Sequence, residues 1–99
     1  MIIIAGYSLT DADKRDAAVA AFAEMVARAR NHDGCLDFAI SADAVDPARV
    51  NVFERWHDQQ SLDAWRNVAK LLTVKLPRVK RRDTSHVKLY RTEQAEKPF

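Results

Sequence analysis

The chain has 99 residues, 47% of them hydrophobic and 30% charged, with a formal net charge of +2. That length suits one domain with a modest core, which buries only about 60–65% of the surface an unfolded chain exposes. So mild a basic surplus is not the clustered face that nucleic acid requires, and nucleic acid is excluded as a partner. A single cysteine, Cys35, excludes an internal disulfide and fits a reducing cytoplasm.

Residues 2–9 are β-branched and apolar and predict a first strand. Met1 to Ile4 lacks the basic start and cleavage site of a signal peptide. Thr10, three residues before Asp13, predicts a capped helix start. The helix then carries Ala18, Phe22, Met25 and Ala29 as its apolar stripe, widened by Val19 and Val26, and runs to about Asn31. Glu24 and Arg28 interrupt this longest apolar stretch, and a membrane span needs about 20 apolar residues, so none is expected. Asp33-Gly34 is a natural stop, the glycine supplying a left-handed turn.

A second strand follows, with Leu36, Phe38 and Ile40 on one face and Cys35, Asp37 and Ala39 on the other. Residues 43–47 form a turn. In the third strand Val50, Val52, Glu54 and Trp56 alternate with Asn51, Phe53, Arg55 and His57. Asp58 caps a second helix whose stripe is Leu62, Trp65, Ala69, Leu72 and Leu76, ended or kinked by Pro77. A fourth strand carries Val87 and Leu89 against His86, Lys88 and Tyr90. One domain over residues 1–92 and a loose tail over 93–99 complete the expectation.

This order, β-α-β-β-α-β, predicts an α+β fold of the ferredoxin-like kind. Two helices cover only one face of a four-stranded sheet, so the other face of a monomer should be polar. It is not: strand one is apolar on both sides, and Phe53 and Tyr90 lie opposite the main apolar sets of their strands. A homodimer through that sheet face is the expected solution.

The run Gly34-Cys35-Leu36-Asp37-Phe38, then Asp46-Pro47, then Val52-Phe53-Glu54-Arg55-Trp56-His57-Asp58 with Leu62 resembles the antibiotic biosynthesis monooxygenase family. The resemblance covers about residues 1–92 in element order. It implies a ferredoxin-like homodimer whose sheets pair into a dimeric α+β barrel. The family's characterised enzymes oxidise polycyclic phenols or quinols with dioxygen, without metal or flavin; other members have no established activity. Many members carry a histidine on the second helix where this chain has Trp65. The haem-degrading branch has a tryptophan there, but it also uses an asparagine where Tyr7 stands and a histidine where Lys75 stands. The axial haem ligand is therefore missing, and haem degradation is disfavoured.

Oxidation without a cofactor draws its electrons from the substrate, and the protein supplies an apolar pocket, a proton acceptor and a donor for the oxyanion. Tyr7, Trp65 and Asn51 are the expected catalytic residues. Tyr7 would orient or deprotonate a phenol and Trp65 would stack on its ring, both looking into one cavity. Phe22, Phe38, Trp56, Arg55 and His57 are the expected substrate-binding set, with Asn51, Arg55 and His57 sharing a strand face at about 7 Å intervals. Each of these aromatics is equally a core residue by type, and that polar face is equally a solvated or dimer-facing one. Glu54, on the apolar face, is expected in a structural ion pair, with an arginine as its natural partner.

His32, His57 and His86 sit on separate elements, and no metal or cofactor is expected. Lys75, Arg78, Lys80, Arg81 and Arg82 form a basic run that either binds an anion or is a solvated turn. Cys35 reads as small packing. The function expected is a cofactor-independent monooxygenase of a small aromatic phenol or quinol. A non-catalytic ligand-binding or stress-associated module on the same fold is the alternative.

Overall fold

The computed structural model describes residues 1–80, 85–93 and 95–98. Arg81 and Arg82 of the basic run lie outside the described residues. The elements in order are β1 (Ile2–Leu9), α1 (Arg15–Ala21), α2 (Ala23–Arg30), β2 (Cys35–Ala42), β3 (Arg49–Trp56), α3 (Gln59–Ala69) and β4 (Ser85–Arg91). The strands form one antiparallel sheet in the order β2-β3-β1-β4. This is the ferredoxin-like arrangement.

Register fixes what each sheet face presents, because side chains alternate along a strand. Ile2 pairs with Trp56, and Ile4 with Glu54 and Leu89. Glu54 also pairs with Phe38. Ile2, Ile4, Phe38 and Trp56 are buried together with Ala29 of α2 and with Leu62 and Trp65 of α3. These even-numbered positions therefore form the face covered by the helices. Ile3, Ala5, Tyr7, Asn51, Phe53 and Arg55 share the opposite, open face.

Three elements depart from expectation. The first helix starts at Arg15, with Lys14 as its N-cap and no side-chain cap. Thr10 stays with the sheet, its N–H donating to the Ala48 carbonyl, and an Asp11–Lys14 turn precedes the helix. The helix also divides at Phe22, whose N–H donates to Val19, three residues back. Second, α3 ends at Ala69, well before Pro77. The N–H groups of Leu71 and Leu72 donate to Val68 and Ala69, a tightened turn that closes the helix and leaves Leu76 55% exposed. Third, β2 carries an irregularity between Cys35 and Asp37. Leu36 is the extra residue and leaves the Phe38 face, 47% exposed.

Gly34 adopts a left-handed φ of 79°. A Cβ there would run into Ser61 at the start of α3, so the glycine allows that helix to close on the loop before β2. The Gly34 carbonyl accepts from His57 N–H at 2.8 Å, tying the end of β3 to the same loop. Asp58 caps α3 as expected, its Oδ1 accepting from Ser61 N–H at 2.8 Å.

Candidate functional site

The covered face holds most of the aromatic candidates, packed against one another. The Trp56 and Trp65 rings stack at 6.1 Å, and Phe38 meets them edge-on at 6.4 and 6.0 Å. His32 presses an edge on the same two indoles at 6.2 and 5.6 Å. Trp56 and Leu62 are fully buried, and Phe38 and Trp65 nearly so. These rings form the core of the domain rather than the walls of a cavity.

Glu54 is the carboxylate on this face, half-buried beside the Trp56 indole. Its Oε1 accepts from Trp56 Nε1 at 3.0 Å. Burial raises its pKa above the ordinary value, against the Trp56 hydrogen bond and the more distant Arg66 charge. The expected close partner of Glu54 was an arginine; the indole occupies that place because it projects from two residues along the same strand face. Cys35, next to this core, has its thiol pKa raised chiefly by burial, which disfavours the thiolate.

Tyr7 and Asn51 face each other across β1 and β3 on the open face, opposite to Trp65. No single cavity can hold both Tyr7 and Trp65. Ile2 and Ile4 take the covered face, and strand alternation then turns Tyr7 away. Arg49 lies over the Tyr7 ring at 3.9 Å, and His86 of β4 stacks on it at 4.8 Å. Arg49 Nε donates to Asn51 Oδ1 at 2.7 Å, and Asn51 Nδ2 donates to Asp43 Oδ1 at 2.9 Å. Asp43 also accepts the N–H groups of Asp46 and Val45. These bonds, that of Asp46 foremost, lower its pKa to about 2. Arg55 lies on the same face, next to Ile3 and Asp37. His57 is past the strand end and exposed, 4.0 Å from Asp58. The open face thus gathers Tyr7, Asn51 and Arg55 and leaves His57 outside.

A cleft of about 300 Å³ opens on the helix side. One wall is Ala21, Glu24, Met25 and Arg28, spaced as a single helical stripe across the α1–α2 junction. The other is the chain after α3, from Leu71 to Val74. Met25 and Leu72 rest on the aromatic core below. Arg28 donates to Glu24 Oε1 at 2.8 Å in this wall. Phe22 is half-buried at the helix junction beside Ala21. Sequence reading passed over Glu24 and Arg28 because they looked only like interruptions of an apolar run; their spacing of four residues was the available signal. It also missed Arg15, whose guanidinium donates to the carbonyls of Asp43, Asp46 and Arg49 and so anchors the β2–β3 turn. Among the described residues, no group of three His, Cys, Asp or Glu side chains could hold a metal ion.

The family model for antibiotic biosynthesis monooxygenase matches residues 1–73. The chain belongs to the antibiotic biosynthesis monooxygenase family. Solved structures agree on the fold. A candidate antibiotic biosynthesis monooxygenase from Deinococcus radiodurans superposes with a TM-score of 0.70 at 17% identity, over 100% of this chain and 99% of that one. A conserved protein from Methanosarcina mazei gives 0.68 at 17% identity, over 93% and 92% of the two chains. The Rv0793 protein of Mycobacterium tuberculosis gives 0.61 at 24% identity, over 97% of each. No curated protein matches the sequence significantly. No helix among the described residues is long and apolar enough to cross a membrane.

Proposed function

We propose that this family member oxidises a small aromatic phenol or quinol with dioxygen, without a metal or flavin, in the cleft between α2 and the chain after α3. The observation that carries this reading is the cleft itself. Met25 and Leu72 form its floor, the Glu24–Arg28 pair stands at its edge, polar surface outweighs apolar in its lining, and its volume is about 300 Å³. That is the lower end of the range for small-molecule sites, which favours a substrate of one or two rings. In a monooxygenation of this kind the substrate gives two hydrogens, one oxygen atom enters it, and the other leaves as water. The same reading makes the protein a homodimer through the open sheet face and, on the strength of the lone Cys35, cytoplasmic.

The test is oxygen uptake with naphthols and hydroquinones in metal-free buffer. Turnover with conversion of the ring supports the enzyme. One observation favours a second reading, a non-catalytic binding module: Trp65 stands where many members are described above as having histidine, and it is sealed in the core, 4% exposed. Binding of the same compounds with no oxygen consumed would support that module.

A further inference from the structure

The net charge of +2 conceals a segregation along the chain. From Ala64 to Lys80 there are five cations (Arg66, Lys70, Lys75, Arg78 and Lys80) and no carboxylate, which leaves eleven cations against fourteen carboxylates elsewhere. Past the turn that closes α3, residues 73–79 form no helix or strand and run over the outside of the domain. Leu72 packs against the aromatic core and fastens this strap at one end. Asp11 fastens it at the other, its Oδ2 accepting the Lys80 N–H at 2.6 Å. Apolar side chains stand out among the cations: Leu71 is 79% exposed, Leu76 55% and Val79 43%. Lys75 and Arg78 take part in no ion pair among the described residues. Exposed apolar groups gathered in this way mark a contact surface.

We propose that the strap docks on an anionic lipid bilayer, held at the headgroup layer and not inserted through it. Its two kinds of side chain call for two kinds of partner. The cations gain from negative headgroups, and the leucine and valine side chains gain from the acyl layer just beneath. A bilayer surface offers both at adjacent depths, and the long lysine and arginine stems let the charges stay in the headgroups while the shorter apolar groups sink. A nucleic acid would pair with the cations but has no use for exposed leucine and valine. From Arg66 to Lys80 there is also no aromatic side chain to stack on a base. A second copy of the chain placed on the same surface would set five cations against five. The strap forms a wall of the helix-side cleft through Leu71–Val74, so the open sheet face stays available to a partner subunit. Binding of this kind is reversible: each cation contributes roughly fivefold in partitioning, and salt weakens the sum.

The experiment is co-sedimentation of the whole protein with two kinds of vesicle, phosphatidylcholine alone and phosphatidylcholine with about two-fifths phosphatidylserine. The unaltered protein should partition onto the anionic vesicles at least ~10-fold more strongly than onto the neutral ones. Salt at ~0.5 M should release it. Lys75→Gln with Arg78→Gln should lower partitioning onto the anionic vesicles about 25-fold, two cations at roughly fivefold each. Leu76→Ser with Val79→Ser should weaken it severalfold and leave what remains releasable by salt. All four side chains are exposed, so both variants should keep the circular dichroism of the unaltered protein. Equal partitioning onto the two vesicles, none onto either, or anionic binding that survives the loss of Lys75 and Arg78 overturns the proposal. So does tighter binding to duplex DNA than to anionic vesicles at the same salt, which would give the strap to nucleic acid. A lower sedimentation mass for Leu76→Ser with Val79→Ser in the absence of lipid would also overturn it, by giving those side chains to a second copy.

Discussion

Tyr7 has its hydroxyl on a ring held by Arg49 and His86, on the sheet face away from the cleft. Tyr7→Phe keeps that ring and removes one polar atom, so stability should change by no more than about 1.5 kcal/mol, the usual net worth of one hydrogen bond. Oxygen uptake should stay within twofold of the unaltered protein. A fall of ~10²-fold, the scale of a lost acid–base group, would move the reaction to the open face. Glu54 makes the opposite case, a titratable group inside the covered face. A carboxyl whose folded pKa stands above its ordinary value favours the fold while protonated. That contribution is full at acid pH and is lost as pH rises through the folded pKa. At neutral pH the charge on Glu54 therefore works against its burial. Glu54→Gln removes the charge and still accepts from Trp56. It should raise the melting temperature near pH 7, with the gain shrinking toward about pH 4 as the native carboxyl protonates. A lower melting temperature for the variant near pH 7 would mean that the Arg66 charge outweighs desolvation.

At the scale of elements, the sequence settled what periodicity and capping can settle. The Asp58 cap, the Leu62 and Trp65 stripe of α3 and the antiparallel strands are all as the pattern predicts. What it could not settle was parity in β1. Ile2-Ile3-Ile4-Ala5 is apolar on both sides, and only the pairing of Ile2 with Trp56 and Ile4 with Glu54 decides which face meets the helices. The error at Tyr7 follows from that one ambiguity. The irregularity at Leu36 and the early end of α3 were equally illegible, since each depends on bonds formed only when the elements meet. The β2–β3 turn illustrates such bonds and can be tested through pH. Asp43 accepts from Asp46, Asn51 and Val45, which lowers its pKa from 3.8 to about 2. A lowered pKa gives stability that is present above the unfolded value and lost as pH falls through the folded one. Urea midpoints should therefore drop between about pH 4 and pH 2, and Asp43→Asn should flatten that part of the curve. An unchanged slope in the variant would assign the acid loss to other carboxylates.

For the whole molecule, the decisive feature is a sheet with helices on one face only. Ile3, Ala5 and Phe53 are half-buried on the open side, and Tyr90 at its edge is 53% exposed. Phe53 is central, with Ala5 and Ala39 as its cross-strand neighbours, so two small residues leave its ring standing above the sheet. Around it run Arg49, Arg55, Lys88 and Asp37, a charged margin about an apolar centre, as in protein interfaces generally. Two copies joined face to face bury that centre from water. Sedimentation equilibrium at micromolar concentration should give twice the mass of the 11.2 kDa chain. Phe53→Glu replaces the apolar centre of the contact with a carboxylate from each copy, and stripping both of water costs more than the cations at the margin return. The variant should sediment as a monomer and keep its circular dichroism, because Phe53 takes no part in the core formed by Trp56, Trp65 and Phe38. The helix-side cleft contains no residue from the open face, so naphthol binding should survive the loss of the partner. A monomer mass for the unaltered protein would refute the sheet-face dimer outright. A dimer that persists in Phe53→Glu would place its interface elsewhere, on the apolar residues Val68, Leu71 and Leu76 that stand exposed around the end of α3.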